Sequence, residues 1–161
     1  MSGRFSERDT EQYYDAEDSI YRTIWDRNGS VHWGFFDENT GEDFLKASAN
    51  LNRFMAGKVC IDQRSNILDL GCGNGNTSIW LSREFGSQVT GIDLSSVRVD
   101  NANAERGRLE SSLAKRLTFR KCSAMDLPFS DNSFSHVWSQ STIYHVPDKI
   151  RVLMEVNRVI E

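Results

Sequence analysis

A glycine-rich turn between a short apolar run and an amphipathic segment constrains this 161-residue chain more than any other feature. Residues 67–70 have the length and apolar character of a buried strand, and residues 77–85 have helical periodicity. The turn between them, Gly71-Cys72-Gly73-Asn74-Gly75, lets a ligand approach the backbone closely, because glycine carries no Cβ. A strand, a glycine turn and a helix in this order predict a ligand-binding loop of an α/β protein.

An acidic residue after the next apolar run supports the same interpretation. Residues 88–92 form a second strand candidate, and it ends at Asp93, twenty residues beyond Gly73. A carboxylate at about this spacing accepts hydrogen bonds from ribose hydroxyls in nucleotide-binding sheets. The loop and the acid therefore indicate one nucleoside pocket at the carboxyl edge of the sheet.

The detailed spacing favours one kind of nucleoside. The dinucleotide pattern GxGxxG would place its third glycine at Asn76, whereas here it falls at Gly75. The loop also opens with Asp69, whose carboxylate would repel a pyrophosphate and attract an ammonium group. An adenosine joined to a sulfonium amino acid fits this pattern better than a dinucleotide, so a nucleotide-dependent oxidoreductase is the weaker alternative.

The rest of the chain alternates strand and helix signals. Residues 117–122 and 133–139 are further strand candidates, and Ser95 is a candidate N-cap of a polar helix that extends to about residue 110. Helices are also predicted over residues 42–58 and after Pro147. Their expected buried residues are Phe44, Leu45, Ala47, Leu51, Phe54 and Met55 in the first, and Ile150, Leu153, Met154 and 156–160 in the second.

This alternation predicts an α/β fold, with a mostly parallel sheet covered by helices. We expect residues 1–60 to form an N-terminal helical cap and residues 61–161 to form the core with the sheet.

Composition excludes several other classes of protein. Acidic residues exceed basic ones, 23 to 19, for a formal charge of −4, which argues against nucleic-acid binding. No apolar run reaches the length of a membrane span, and the N-terminus lacks the apolar region of a secretory signal. The three cysteines, Cys60, Cys72 and Cys122, have no metal-binding or redox spacing. We expect a cytoplasmic protein with a small-molecule partner and no metal.

Residues 67–75 and 91–95, together with 124–129 (Ala-Met-Asp-Leu-Pro-Phe), resemble the class I S-adenosylmethionine-dependent methyltransferases. The resemblance implies a Rossmann-like sheet with strands in the order 3-2-1-4-5-7-6, of which this chain would hold the N-terminal part only, strands 1–4 with their flanking helices. It implies S-adenosyl-L-methionine as cofactor and S-adenosyl-L-homocysteine as product.

Residue roles follow from the same resemblance. The glycine loop would back the methionyl part of the cofactor, the acid after strand two would hold the ribose, and the loop after strand three would lie against the adenine. The matching positions are Asp69, Gly71, Cys72, Gly73, Asn74 and Gly75, then Asp93 and Leu94, then Ala124, Met125 and Asp126. Separately, the amide of Gln140 is a candidate contact of the cofactor or of the substrate. The aromatic residues Tyr14, Tyr21, Trp25 and Trp33 either close over the cofactor and exclude water or are ordinary core residues.

A narrower likeness concerns the acceptor. Residues 13–15, 24–25, 31–34 and 138–149 are similar to sarcosine/dimethylglycine-type N-methyltransferases, which implies transfer to a small-molecule acceptor at an amine nitrogen. Transfer to carbon or oxygen of a prenyl or phenolic metabolite, or an inactive cofactor-binding fragment, are the alternatives.

Candidate catalytic residues follow the fourth strand. His145 is a candidate base or substrate ligand, or alternatively fixes the loop before Pro147. Tyr144 either lines the substrate pocket or only packs against neighbouring side chains. We expect His32 and His136 to be structural, and the charged residues between 98 and 116 to form a solvated face.

The family continues beyond the point that corresponds to residue 161. We therefore expect the chain to be part of a longer protein. Its fourth strand would then be an unpaired edge with exposed apolar side chains, through which a second copy could associate.

Overall fold

The computed structural model describes residues 6–24, 26 and 29–160. Four strands form one parallel sheet: β1 (Asn66–Leu70), β2 (Gln88–Asp93), β3 (Leu117–Lys121) and β4 (His136–Ser139). Their order is β3-β2-β1-β4, which confirms the expected Rossmann-like architecture of strands 1–4. The chain runs from β1 to β2 on one side of β1, and the connection from β3 crosses to β4 on the other side, so a crevice opens at the carboxyl end of β1, where such sheets bind ligands.

Six helices and one 3₁₀ turn accompany the sheet within the described residues. They are α1 (Glu7–Ile24), α2 (Phe44–Ala56), α3 (Asn76–Phe85), α4 (Ser96–Arg106), α5 (Ser111–Ala114), the 3₁₀ turn Ile143–His145 and α6 (Lys149–Val159). Two predicted bounds were wrong. The polar helix ends at Arg106 rather than near residue 110, and β4 begins at His136 because Phe134 forms an isolated bridge with Ile160 instead.

The core lies on both faces of the sheet. On one face Ile67, Val89 and Leu117 of the sheet pack with Leu81 of α3. On the other face a second cluster joins the sheet to α6 through Leu68, Leu70, Ile92, Val152 and Val159. Successive residues of β1 alternate between the faces, and burial on both sides explains why this strand is almost continuously apolar.

The predicted apolar face of α6 was wrong in part. Val152 and Val159 are fully buried, whereas Ile150 is 68% exposed, and Leu153 and Met154 are also exposed. The helix contacts the core through the stripe Val152, Val156 and Val159, whereas the three exposed apolar side chains point away from the described core.

The predicted apolar face of α2 was also wrong in part. Leu45 and Phe54 are exposed, while the buried positions include the small residues Ala47 and Ala56. A Cβ at Gly34 would lie only 2.5 Å from the Cβ of Ala47. Small residues therefore face the interior here because the preceding segment lies so close to the helix.

None of the helices in the described parts of the chain has both the length and the apolar character that crossing a bilayer requires.

Gly75 has a packing role that its place in the glycine loop does not reveal. Its φ is +84°, and a Cβ there would lie 2.8 Å from the ring of Phe119 and 3.0 Å from the Cβ of Ala102. The glycine therefore allows α3 to begin close to β3 and α4.

We expect Gly75→Ala to lower the free energy of unfolding by about 3 kcal/mol, because backbone strain and overpacking add. Gly41→Ala is the matched control, since Gly41 has φ +53° but no atom within 4 Å of the added Cβ. The control should cost about 1 kcal/mol. Urea denaturation measures both, and equal costs would contradict the packing role.

Candidate functional site

A cavity of about 980 Å³, including its open mouth, lies at the carboxyl ends of the strands. The loops after all four strands line it, and α1 contributes to its wall. It brings together eleven of the residues that the sequence singled out: Tyr14, Asp69, Gly71, Cys72, Gly73, Asn74, Asp93, Leu94, Ala124, Gln140 and His145.

The glycine loop exposes its backbone to this cavity at Gly73. Both Gly71 and Gly73 have positive φ, +74° and +54°. At Gly71 a Cβ would lie 2.1 Å from the side chain of Thr142, whereas at Gly73 the nearest atom would be 3.8 Å away. Gly71 therefore permits close packing between loops, and Gly73 leaves room for a ligand.

Asp93 joins the first two loops of the site. Its Oδ2 accepts a hydrogen bond from the Gly73 N–H at 2.9 Å, and its Oδ1 accepts one from the Ser95 N–H at 2.9 Å. A carboxylate has about four acceptor positions, so further ones are available to a donor in the cavity. Burial raises the pKa of Asp93 above its ordinary value, although the two backbone bonds oppose that shift.

Asp69 is a buried acid at the end of β1. Its Oδ2 accepts a hydrogen bond from the Ser78 hydroxyl at 2.6 Å. Burial, with a smaller contribution from the charge of Asp93, raises the pKa of Asp69 to about 7. A cation bound nearby would stabilise the ionised form.

The charges of the wall favour a cationic ligand. Among the described residues, the cavity is lined by four carboxylic acids and one guanidinium: Glu7, Glu11, Asp69, Asp93 and Arg98. No cluster of His, Cys, Asp and Glu suited to a metal ion is found in the described part of the chain.

Helix α1 lies against the loops of the site through polar contacts. All eighteen of its residues are described, and Asp18 alone is buried. Glu11 forms an ion pair with Lys121, and the Ser95 hydroxyl donates to Asp15 at 2.5 Å. The helix therefore covers part of the cavity without joining either apolar core cluster.

Asp18 is the centre of a buried polar network. It lies 3.4 Å from the Nε of Arg98 and accepts hydrogen bonds from Asn74 at 3.0 Å and Asn101 at 2.9 Å. Asn74 also donates to the Gly29 carbonyl at 3.0 Å. The network connects α1, the glycine loop and α4.

Tyr14 and His145 are directly hydrogen-bonded across the cavity. The Tyr14 hydroxyl lies 2.8 Å from the Nε2 of His145, and their rings meet edge to face. Burial, followed by the charges of Arg98 and Lys149, lowers the pKa of His145, while burial raises the pKa of Tyr14. At neutral pH the imidazole is therefore unprotonated and can accept a proton.

Six predicted site residues lie outside the cavity wall: Tyr21, Trp33, Gly75, Met125, Asp126 and Tyr144. Trp33 is 65% exposed, Asp126 is exposed, and Met125 packs against the core. Tyr144 is 57% exposed, although its ring lies 4.1 Å from that of His145. Trp25 is outside the described residues.

Gln140 lines the cavity, but its amide is engaged by neighbouring helices. Its Nε2 donates to Asn52 at 2.8 Å, and its Oε1 accepts from Thr77 at 3.2 Å. Its role in the structure is therefore to join α2 and α3 to the loop after β4.

Sequence reasoning missed Arg98, which is 3% exposed and lines the cavity. The expectation of a solvated face was wrong at this residue. A signal was available in the predicted N-cap at Ser95: side chains in a first helical turn point back towards the N-terminus, which here is the carboxyl edge of the sheet. His32, expected to be structural, is buried and also lines the cavity.

Comparison with known protein families identifies the family of this chain. The model of a family described as "Methyltransferase domain" matches residues 68–161, more than half of the chain. The chain belongs to this family. The resemblance to class I S-adenosylmethionine-dependent methyltransferases is thereby confirmed.

Three known proteins are similar to this chain in sequence or in structure. The chain is 38% identical over 151 residues to a glycine/sarcosine/dimethylglycine N-methyltransferase of Actinopolyspora halophila, covering 92% of this chain and 26% of that protein. The structure of the [4+2]-cyclase SpnF matches with a TM-score of 0.88 and 26% identity over 99% of this chain and 58% of that one. A geranyl diphosphate C-methyltransferase from Streptomyces coelicolor A3(2), solved with S-adenosyl-L-homocysteine, shares the fold (TM-score 0.79, 22% identity, 96% and 62% covered).

The chain thus spans only a quarter to about three fifths of the lengths of these three proteins.

The raised pKa of Asp69 predicts a pH dependence of stability. Between about pH 4 and 7 the unfolded carboxyl is ionised while the native one still holds its proton, so the native state binds more protons and stability falls as pH rises. We expect Asp69→Asn to remove this contribution to the decrease in the free energy of unfolding with pH. Urea unfolding of both proteins across this range measures it, and parallel curves would contradict the burial effect.

Proposed function

We propose that the cavity binds S-adenosylmethionine and that the enzyme to which this chain belongs transfers its methyl group to a small-molecule amine. The observation that carries the proposal is the position of Asp93: its carboxylate lines the cavity and is fixed by N–H groups of both adjacent loops. Membership of the methyltransferase domain family supports it.

The residues of the wall fit such a ligand in charge and shape. We propose that Asp93 accepts from the ribose hydroxyls and that the open backbone at Gly73 faces the methionyl chain. Asp69 would then favour the ammonium group, because its buried carboxyl gains most from a neighbouring cation. Leu94 and Ala124 offer apolar surface to the base.

The reactive group comes from the cofactor, which supplies an electrophilic methyl group on a sulfonium. The chain's own residues would provide orientation and proton transfer. An amine acceptor must be unprotonated to attack, and the unprotonated His145 can take its proton through the Tyr14 hydroxyl at 2.8 Å. Helix α1 would keep water from the reacting atoms.

An amine nitrogen is proposed because the N-methyltransferase relative is 38% identical over nearly the whole chain. Transfer to carbon is the alternative suggested by the geranyl diphosphate C-methyltransferase, and transfer to oxygen of a phenolic metabolite is tested alongside it. The [4+2]-cyclase favours a further candidate, a cofactor-binding module that transfers no methyl group, because its fold is similar.

We also propose residues 1–60 as a cap over a core of residues 61–161, which the polar attachment of α1 supports. Association of two copies through β4 belongs to the same proposal. The support is that β4 is at the edge of the described sheet and that exposed apolar residues of α6 lie on the following helix.

Titration calorimetry with S-adenosylmethionine, S-adenosylhomocysteine and NAD tests the cofactor. We expect the first two to bind, and Asp93→Asn to weaken them roughly tenfold to a hundredfold, because a hydrogen bond to a charged group is lost. Asp100→Asn is the matched control, since Asp100 is exposed and outside the cavity wall. Binding of NAD alone, or equal losses in both variants, would contradict the proposal.

Transfer of a radiolabelled methyl group tests the acceptor. We expect turnover of glycine derivatives to exceed that of phenols and prenyl diphosphates in the full-length enzyme. We expect Tyr14→Phe to reduce kcat about tenfold or more, because the proton path is interrupted. A preference for phenols or prenyl compounds would overturn the amine assignment, and donor binding without turnover of any acceptor would favour the binding module.

A further inference from the structure

Arg98 is a buried cation whose hydrogen bonds do not account for its position. Its Nε and Nη2 are buried and have no hydrogen-bond partner among the described residues, and the Nε is 3.4 Å from Asp18. Buried donors in native proteins are nearly always paired. The arrangement therefore calls for another interaction that holds this side chain.

The interaction is stacking on aromatic rings of α1. The guanidinium carbon lies 4.3 Å from the ring centre of Tyr14 and 5.7 Å from that of Tyr21. A guanidinium over an aromatic face is attracted by the ring electrons, and more strongly when both are shielded from water. Asp18 lies one helical turn beyond Tyr14 and holds the same guanidinium from its side.

Tyr14 is in turn hydrogen-bonded to His145. We propose that Arg98 is a positioning residue of the proposed methyl transfer: by stacking on Tyr14 it holds the tyrosine hydroxyl against the imidazole of His145. This inference rests on the proposed function, in which His145 accepts the proton of the acceptor. Arg98 of α4 thereby joins the hydrogen-bonded pair of Tyr14 on α1 and His145 in the 3₁₀ turn.

The positive charge of Arg98 has a second effect. It opposes protonation of His145 and, after burial, contributes to the lowered pKa of that imidazole. The titratable and charged groups around His145 come from several elements: Tyr14, Glu7 and Glu11 on α1, Arg98 on α4, Lys149 on α6 and the adjacent Tyr144. Glu7 is hydrogen-bonded to Ser123, and Glu11 is paired with Lys121. The two cations that lower the pKa of the His145 imidazole are Arg98 and Lys149.

Proton NMR of the chain tests the proposal without any substrate. The chain has three histidines, so the ring signal of His145 can be assigned by comparison with His145→Gln. In the parent protein we expect a nuclear Overhauser effect between the rings of Tyr14 and His145. In Arg98→Met we expect this effect to be lost and the titration midpoint of His145 to rise, because stacking and charge are removed together.

Arg98→Lys separates the two effects. It keeps the positive charge but not the planar stack, so the Overhauser effect should weaken while the titration midpoint stays close to that of the parent. The double variant Asp18→Asn/Arg98→Met covers the case in which Arg98→Met fails to fold, because it leaves no unpaired buried carboxylate. It should show the same loss of the ring contact as Arg98→Met.

An unchanged ring contact and an unchanged His145 titration in Arg98→Met or in the double variant would overturn the positioning role. Failure of the proposed function would be seen separately. If the chain binds no S-adenosylmethionine while the ring contact still depends on Arg98, the proposed methyl transfer is refuted, but the effect of Arg98 on the Tyr14–His145 contact is retained.

Discussion

The site depends on one carboxylate that joins two loops. Asp93 accepts hydrogen bonds from the N–H groups of Gly73 and Ser95, each at 2.9 Å, and so fixes the turn after β1 against the turn after β2. Parallel pairing of the two strands brings these turns to the same edge of the sheet. A single acid thereby gives shape to the cavity floor and remains able to accept hydrogen bonds from a ligand. Its burial opposes ionisation, and the backbone donors offset part of that cost.

Helix α1, which covers part of the cavity, is held in place by a different kind of interaction from the sheet beneath it. The sheet is stabilised by two apolar clusters, whereas α1 is attached by carboxylates, hydroxyls and one guanidinium. Water can replace exposed contacts of this kind, such as the Glu11–Lys121 pair, with little loss of free energy. The Asp18–Arg98 pair is different because it is buried, and removing one partner would leave a charge without compensation. The Asp18–Arg98 pair is therefore the main buried attachment of α1, together with the partly buried Tyr14–His145 hydrogen bond.

The part of the site formed by the loops after β1 and β2 was predictable from short-range sequence patterns. The glycine turn, the strand before it and the acid at the end of β2 follow from nearby residues and from spacing, and all are found where expected. The predictions that failed required knowledge of distant partners. For Arg98, the local signal of the N-cap at Ser95 gives only the direction of the side chain, and its partners Tyr14 and Asp18 lie about eighty residues earlier in the chain. The exposed Ile150 of α6 and the exposed Leu45 of α2 show the same limit, since helical periodicity does not tell which stripe meets the sheet.

A crystal structure of the chain with S-adenosylhomocysteine tests the central claim most directly. We expect the ribose hydroxyls to lie within hydrogen-bond distance of the Asp93 carboxylate, with the amino-acid part along Gly73. Ligand density elsewhere on the molecule, or a ribose turned away from Asp93, would contradict the assignment of this cavity as the donor site.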